Sequence, residues 1–348
     1  MNYFDSNYYL NDLQSQLDKI NLDELSGKTV LVTGANGMIC SYIIDLLIYA
    51  NIYKNANIRI LAMSRSEDKL KKRFGYYYDN ELFVPVISDV CNQLDCDGVD
   101  YIIHGASNAN PKLYITDPVG TMNANYLGTL NMLNLAVKND ARLLYISSGD
   151  VYGETKDGNT SLKESDYGYV DILNVRSSYA SSKRASETLC IAYNNQYGAK
   201  ALIVRPAHIY GPTCTTSDTR AVSDFINKAV DGEDIIMKSD GSSTRSYCYV
   251  GDASVGILRV LTDGQIGNAY NISNNDNIIS IRNLAQVICD NAHVNLDIQI
   301  PKSDLDKKID SNVKTICLDS EKLESLGWEA KTNVEDGIKL TLKVLRRK

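Results

Sequence analysis

The chain has 348 residues, of which 44% are hydrophobic and 23% charged, and its formal net charge is −7. This composition is that of a soluble globular protein and excludes fibrous and intrinsically disordered chains. The acidic balance gives no general attraction to nucleic acid or to an anionic membrane, so an anionic ligand must be bound by local groups. At roughly 100–200 residues per domain, the length allows two domains or one large one.

The first 26 residues are predicted to form an appended helical segment. Leu10, Leu13, Leu17 and Ile20 recur at helical spacing among polar residues, so one face of the segment can pack on the main body. The opening residues do not have the basic and apolar regions of a signal peptide, and no apolar run is long enough to span a bilayer. We therefore expect a cytoplasmic protein with no membrane association.

The eight cysteines are scattered along the chain without a CxxC pair, and there are three histidines. This pattern does not favour a structural zinc site, and we expect no metal. We interpret the cysteines as reduced thiols, most of them buried as small apolar residues.

From Lys28 onward, short apolar runs alternate with longer amphipathic stretches. Such alternation is typical of βαβ units and predicts a parallel sheet that is covered on both faces. After Gly211-Pro212 the alternation loosens and turns rich in Gly, Asn and Asp become frequent, which indicates a second lobe. The predicted strands cover 29–33, 58–63, 82–87, 101–104 and 142–147, and helices are predicted over 38–49 and 123–138.

Two glycines stand at the junction between the strand predicted over 29–33 and the helix that follows it. Gly34 permits a tight turn, and Gly37 lets the backbone approach a pyrophosphate at the helix N-terminus, where free N–H groups favour an anion. In this position the glycine pair predicts a nucleotide site.

The next predicted strand runs into Ser64-Arg65, where an NAD-specific site usually places an acid on the ribose hydroxyls. The first carboxylate beyond this point is Glu67. Arg65 could instead contact a 2′-phosphate, which favours NADP over NAD. The alternative is that Arg65 is a solvated residue at the start of a helix.

Eight motifs follow one another from Lys28 towards the C-terminal region. They are TGANGMI (33–39), DV (89–90), HGAS (104–107), NYLGT (125–129), SSGDVYG (147–153), YASSK (179–183), RPAHIYGP (205–212) and RSYCYVGD (245–252). Together they resemble the extended short-chain dehydrogenase/reductases that modify nucleotide sugars, which include epimerases, 4,6-dehydratases and uronate decarboxylases.

The resemblance implies a doubly wound α/β fold, in which a parallel-sheet Rossmann domain carries a smaller C-terminal α/β substrate lobe and the active site lies in the cleft between them. We expect a helical extension at 1–26, an NAD(P)-binding domain at 27–210 to which 245–262 returns, and a mainly substrate-binding lobe at 211–348. The resemblance also implies a tightly bound NAD or NADP that is recycled in each turnover, a UDP- or dTDP-linked sugar as substrate, and a homodimer.

The same resemblance implies roles for individual residues. Ser148, Asp150, Tyr179 and Lys183 are the expected catalytic residues, and Asp89 would bind the adenine. The residues expected to bind the cofactor are Gly34, Asn36, Gly37, Met38, Ile39, Ser64, Arg65, Asp89, Val90, Ala106, Asn125, Tyr179, Lys183 and Pro206. Those expected to bind the substrate are Ser107, Arg176, His208, Arg220 and Arg245.

The Tyr179-Lys183 pair has a chemistry that follows from its spacing. Side chains four residues apart share one face of a helix. A lysine ammonium and a positively charged nicotinamide both favour tyrosinate, so they are expected to lower the pKa of Tyr179 from about 10. A tyrosine adjusted in this way can take the proton from a sugar hydroxyl while hydride leaves the carbon.

Two positions depart from the family pattern. Cys40 replaces the third glycine of the GxxGxxG motif, and its thiol is expected to hold the helix slightly farther from the strand. The 4,6-dehydratases have an Asp-Glu pair after the active-site Ser/Thr, whereas this chain has Gly149-Asp150. Without an acid at 149, loss of water would be slower by about 10²–10⁴-fold, so dehydration is disfavoured.

Decarboxylation of a 4-keto-uronate needs no such acid, because CO₂ leaves and the ketone takes up the electrons. Asp150 could then reprotonate C5 or orient the sugar, and the alternative is a capping role after the strand. Arg176, a few residues before Tyr179, is similar to an arginine that is usual at this place in UDP-glucuronate decarboxylases.

Three further residues are candidates at the substrate end. Arg220 and Arg245 can clamp a diphosphate, because a guanidinium is permanently charged and bidentate. His208 stands where the family often has Asn, and it can still donate a hydrogen bond. The alternatives are a structural His208 and a solvated Arg220, and we expect His104 to be structural.

We therefore expect transient oxidation at C4 of a nucleotide sugar, followed by decarboxylation of a UDP-uronate. C4 epimerisation is the close alternative, and 4,6-dehydration comes after it. An alternative of another class is a non-catalytic sensor or scaffold that binds dinucleotide, against which the intact Ser148, Tyr179 and Lys183 argue.

Overall fold

The computed structural model describes residues 2–154, 161–216, 218–300 and 315–346, without the side chains of residues 315 and 316. The strands of this part are β1 (Thr29–Thr33), β2 (Arg59–Ser64), β3 (Phe83–Ile87), β4 (Tyr101–His104), β5 (Arg142–Ile146), β6 (Ser161–Leu162), β7 (Lys200–Pro206), β8 (His208–Tyr210), β9 (Ile235–Met237), β10 (Thr244–Tyr249), β11 (Ala269–Ile272), β12 (Ile278–Ser280), β13 (Leu296–Ile298) and β14 (Thr315–Leu318). The five predicted strands are confirmed, with bounds within one residue.

The helices pack between and outside these strands. They are α1 (Asn7–Leu17), α2 (Met38–Lys54), α3 (Glu67–Phe74), α4 (Leu113–Thr116), α5 (Pro118–Asn139), α6 (Ser178–Tyr197), α7 (Ala221–Asp231), α8 (Val250–Asp263), α9 (Ile281–Ala292), α10 (Glu321–Glu324) and α11 (Val334–Arg346). Helix α5 begins five residues before the predicted start, because Asp117 caps it by accepting a hydrogen bond from Gly120 N at 3.1 Å and Pro118 occupies its first position.

The large sheet has seven parallel strands in the order β11-β7-β5-β4-β1-β2-β3. Alternate residues of β1 face opposite sides of this sheet: Val30 and Val32 join the apolar cluster that contains α2 and α8, whereas Leu31 joins the cluster that contains α5. Because both faces are covered, the strands are continuous apolar runs. The predicted doubly wound α/β fold is therefore confirmed.

The strand order reverses beside β1, which pairs with β2 on one side and with β4 on the other. In such a sheet, the crevice for a ligand opens outside the carboxyl ends of the strands at this reversal. His104 ends β4 and is fully buried, with its Nδ1 2.8 Å from Thr33 Oγ1. Burial lowers its pKa to about 3, so the ring is neutral. Its contact with Thr33 is structural and lies at the base of the crevice.

The smaller lobe is built on a second sheet, in the order β12-β10-β14-β6, with β8 paired to β10, and on the β9-β13 pair. The chain passes between the two lobes more than once, since β11 joins the large sheet beside β7 and α8 packs against β5 and β7. The domain boundaries at 26/27 and 210/211 stay predictions.

The N-terminal segment packs on the main body through α1, which contacts α2, α8 and α11. Tyr9, Leu13 and Leu17 of α1 are buried. Asp12 on the same face accepts hydrogen bonds from the hydroxyls of Tyr42 and Tyr249, both at 2.6 Å.

Candidate active site

A cleft of about 220 Å³ opens at the carboxyl ends of β1, β2 and β4. Gly34 shapes it: its φ of +71° and the closeness of Ala106, whose N and Cα would lie 2.9 Å from a Cβ at position 34, both require glycine. Gly37 caps the N-terminus of α2. Of the residues predicted to bind the cofactor, the cleft brings together Gly34, Asn36, Gly37, Ser64, Arg65, Asp89, Val90 and Ala106, and it adds Ser107 from the predicted substrate set.

The other predicted cofactor residues lie around this cleft rather than in its lining. Asn125 is fully buried on α5, where its Oδ1 accepts from Ser107 Oγ at 2.8 Å and its Nδ2 donates to Ser182 Oγ at 2.9 Å. It therefore joins the cleft to α6. Met38 and Ile39 begin α2, and Pro206 ends β7.

Cys40 occupies the position of the missing third glycine and is buried against the turn after β4. A Cβ at Gly105 would overlap the Cys40 sulfur, and it would also lie 3.2 Å from Ile146 Cδ1. The absence of a side chain at Gly105 thus provides the space that the thiol needs.

Lys183 is buried on α6 and donates from Nζ to the carbonyl of Ile146 at 2.7 Å. Its ammonium lies 4.7 Å from the ring centroid of Tyr145 and 5.7 Å from that of Tyr179. Burial lowers its pKa to about 7, against the raising effect of Glu187. Lys183 can therefore gain or lose its proton near neutral pH.

Tyr179 is 6% exposed and lies one helical turn before Lys183. Burial raises its pKa to about 12, helped by Asp150, while Ser148 and Arg220 act to lower it. The direction is opposite to the one expected from the sequence, because loss of water outweighs the neighbouring positive charge in this structure.

Tyr114 is an active-site neighbour that no motif indicated. Its ring stacks on Tyr179 with the centroids 4.4 Å apart and the planes at 11°. Its carbonyl accepts from Ser178 Oγ at 3.2 Å, which ties the short helix α4 to the start of α6. The ring covers one face of Tyr179 and limits the rotation of that side chain.

Ser148 begins a 3₁₀ turn, Gly149–Tyr152, and its Oγ accepts from Asp150 N at 3.1 Å. The Asp150 carboxyl is accessible to solvent, yet the surrounding protein displaces enough water to raise its pKa. Arg176, Arg220 and Arg245 act in the opposite direction, in that order. Three of the predicted substrate residues therefore come together around the Asp150 carboxylate.

Position 149 does not face the same surroundings as Asp150. A Cβ at Gly149 would lie 3.3 Å from Leu318 Cδ1 and 3.5 Å from the carbonyl of Pro206. Leu318 belongs to a small apolar cluster with Val151. An acidic side chain at position 149 would thus enter apolar contacts.

The arginines of the smaller lobe are held in different ways. Arg220 is oriented by Asp218, whose carboxylate accepts two bonds from its Nε at 3.0 Å each. Asp218, two residues earlier in the chain, was not among the residues predicted from the sequence. Arg245 is 8% exposed and donates from Nη1 to the carbonyl of Thr244 at 2.8 Å.

His208 lies near both of these guanidinium groups. Burial, then Arg245 and Arg220, lower its pKa to about 3, so the imidazole is neutral. Its Nδ1 is buried and has no hydrogen-bond partner within the described residues.

A buried ion pair fixes α6 against β7 behind the site. Arg205 bonds both carboxylate oxygens of Glu187, at 3.0 and 2.7 Å, and donates to the Tyr152 hydroxyl at 3.0 Å. Glu187 was not predicted to matter, although it lies four residues after Lys183.

Across the described ranges, no group of three or more His, Cys, Asp or Glu side chains is placed to hold a metal ion. A search of the same ranges finds no helix with the length and apolar character needed to cross a membrane.

Comparisons with known proteins agree with this architecture. The profile described as the NAD dependent epimerase/dehydratase family matches residues 30–273. UDP-glucuronic acid decarboxylase 6 of Arabidopsis thaliana is 34% identical over 318 residues, covering 90% of this chain and 88% of that protein. UDP-glucuronic acid decarboxylase 1 of Xenopus tropicalis is 29% identical over 329 residues, covering 94% and 74%.

Solved structures share the fold. The UDP-glucose 4-epimerase of Thermotoga maritima with UDP-glucose has a TM-score of 0.77 at 22% identity and covers 92% of this chain and 99% of that chain. A dTDP-glucose 4,6-dehydratase of Streptomyces venezuelae with NAD has a TM-score of 0.77 at 23% identity and covers 92% and 97%.

Proposed function

Because this chain belongs to the NAD dependent epimerase/dehydratase family, we propose that it is an enzyme that decarboxylates a UDP-linked uronate after transient oxidation at C4. Relatives named UDP-glucuronic acid decarboxylase align with most of its length. The observation that carries the proposal is the pair of residues after Ser148. Asp150 lies near three arginines, whereas Gly149 provides no acid that could protonate a hydroxyl leaving as water.

The dinucleotide of the family fits the cleft, since Gly34 leaves open the space that a Cβ would fill. Gly34, Asn36 and Gly37 would hold its phosphates, and Tyr179 and Lys183 its nicotinamide half. When bound, it supplies a hydride acceptor for C4 and a hydride donor at the end of the turnover.

Tyr179 is the proposed base for the C4 hydroxyl. Its raised pKa keeps the phenol protonated at neutral pH, so an added positive charge must favour tyrosinate before it can accept a proton. Lys183, with a pKa of about 7, can provide that charge when it is protonated. Ser148 would hold the same sugar oxygen by a hydrogen bond.

Asp150 is the proposed proton donor to C5. When the bond between C5 and C6 breaks, CO₂ leaves and the electron pair moves onto the C4 oxygen. A proton must then reach C5, and a carboxyl whose pKa is raised because the surrounding protein displaces water retains one more readily than an ordinary aspartate. Arg220 and Arg245 would bind the diphosphate, which accounts for ligand binding by a chain of net charge −7.

The test is to incubate the purified protein with UDP-glucuronate that carries ¹³C at C6 and to follow the products by NMR. Release of labelled CO₂ with formation of a UDP-pentose is the expected result. A C4-epimerised uronate that keeps its label would point to the epimerase alternative. A 4-keto-6-deoxy product from UDP-glucose or dTDP-glucose would overturn the argument from Gly149.

We also propose that the protein is a homodimer. Val119, Met122 and Tyr126 form an exposed apolar stripe on α5, and Ile191 is exposed on the adjacent α6. Such a stripe is typical of a protein interface. Light scattering during gel filtration should give twice the mass of the chain, and Met122→Glu should reduce it to one.

A cytoplasmic location completes the proposal. The eight cysteines are free thiols, as expected in a reducing compartment. Fractionation of cells that express the tagged protein would test this location.

A further inference from the structure

The cleft contains no carboxylate from the end of β2, where a site for NAD places one on the ribose hydroxyls. Ser64 stands at this end of the strand, and its hydroxyl donates to Asn36 Oδ1 at 2.5 Å and accepts from Ser66 N at 3.2 Å. Ser64 and Ser66 both line the cleft.

The nearest acidic residue in the chain is turned to other partners. Glu67 accepts from Lys71 at 2.8 Å and from the Tyr78 hydroxyl at 3.2 Å, and it is absent from the cleft lining. Asp89 does line the cleft, but it comes from the loop after β3, and its Oδ1 accepts from Cys91 N at 2.8 Å.

Two cations line the cleft at this place. The Arg65 side chain is 71% exposed, and its ion pair is a long one, 3.8 Å from Asp89. Lys69, in the first turn of α3, also lines the cleft and has no ion pair within the described residues. An exposed guanidinium and an ammonium beside two hydroxyls and a strand end form a binding place for a phosphate dianion.

We propose that the cleft selects a dinucleotide with a phosphate on the adenosine 2′ position, that is NADP rather than NAD, and that Arg65 and Lys69 bind this phosphate. The inference rests on the proposed function only in taking the cleft as a dinucleotide site, and it does not depend on the sugar or on the reaction. It makes Ser64 the residue whose small hydroxyl leaves room for the phosphate.

The first test identifies the dinucleotide that the purified full chain releases on denaturation, by mass spectrometry. The second compares the affinities for 2′,5′-ADP and 5′-AMP by calorimetry. We expect NADP in the first test, and in the second a 2′,5′-ADP affinity higher by about 10- to 100-fold, as a charge-assisted pair gives. Arg65→Ala and Lys69→Ala should each remove most of this preference without weakening the binding of 5′-AMP.

Lys71→Ala is the matched control, because Lys71 lies on the same helix but pairs with Glu67, and it should keep the full preference. Ser64→Asp should reverse the preference. The inference would be overturned if the protein released NAD or if it bound 2′,5′-ADP and 5′-AMP with equal affinity. It would also be overturned if Arg65→Ala weakened the binding of both probes equally. Binding of 5′-AMP without the preference leaves the proposed function standing, whereas binding of neither probe overturns both.

Discussion

Tyr114 covers one face of Tyr179, with the two rings nearly parallel and their centroids 4.4 Å apart. The stack orients the phenol, and a hydrogen bond with the Tyr114 side chain acts to lower the pKa of Tyr179, against the larger raising effect of burial. We expect Tyr114→Ala to lower kcat by about tenfold or more, because a misplaced catalytic group loses much of its effect. Tyr114→Phe keeps the stacked ring, so loss of activity in this variant would show that the hydroxyl and not the stack matters.

Tyr179→Phe removes the proposed base while keeping the ring. We expect kcat to fall by about 10²–10⁴-fold, the usual contribution of a general acid or base. The melting temperature should change little, and a steady-state assay of UDP-pentose formation would measure the loss. Tyr193→Phe, on the same helix but bonded to Asn134 at 2.7 Å outside the site, is the control and should retain full activity.

Gly34→Ala should abolish dinucleotide binding. The new Cβ would lie 2.9 Å from backbone atoms of Ala106 and Gly105 and would also require a φ of +71°. Gly198→Ala separates the two effects, because Gly198 has a φ of +67° and no atom of the described residues lies within 4 Å of a Cβ there. We expect it to cost about 1 kcal/mol of unfolding free energy and to leave binding intact. Calorimetric titration with 2′,5′-ADP would compare them, and equal loss of binding would count against the role of Gly34.

Gly105→Ala should destabilise the protein because its Cβ would overlap the Cys40 sulfur. We expect a cost of about 1–3 kcal/mol, as for overpacking elsewhere. The double variant Cys40→Gly with Gly105→Ala restores the space and should recover much of that loss. Urea unfolding of the two single variants and the double variant gives the coupling, and strictly additive effects would contradict the contact.

Asp12→Asn should make the unfolding free energy less dependent on pH. Burial raises the pKa of Asp12 to about 6, so its stabilising contribution is complete below the unfolded pKa near 3.8 and is lost as the pH rises through 6. The variant does not titrate, and its oxygen can still accept from Tyr42 and Tyr249. Its stability relative to the native chain should rise by roughly 2.5 kcal/mol between pH 4 and pH 7.5.

Urea unfolding at the two pH values measures this difference. Asp18→Asn is the control, since Asp18 is exposed at the end of the same helix and pairs with Lys54 at 3.5 Å. If the difference in unfolding free energy between Asp12→Asn and the native chain were the same at both pH values, the raised pKa of Asp12 would be contradicted.

The strands around the cleft could be predicted from the sequence because each is a continuous apolar run between glycine or polar turns. The glycine turn and the Tyr179-Lys183 spacing are local patterns, and they placed the candidate site. Tyr114 could not be found in this way, because its contact with Tyr179 joins residues 65 positions apart and no motif contains it. The protonation of Tyr179 was also beyond a local pattern, since its pKa depends on how much water the fold removes.

Cys40 illustrates the same limit. Its place in the glycine motif was evident, and a wider spacing between helix and strand was the natural expectation. That spacing stays a prediction, and the structure shows that Gly105, which follows another strand, leaves room for the thiol. Compensation of this kind depends on tertiary contacts that the spacing of one motif does not contain.

The two tyrosine hydroxyls on Asp12 come from α2, beside the cleft, and from the end of β10 in the smaller sheet. One carboxylate oxygen of the N-terminal segment thus accepts hydrogen bonds from both lobes and holds them together. The relative positions of α2 and β10 are therefore constrained by a helix that belongs to neither sheet.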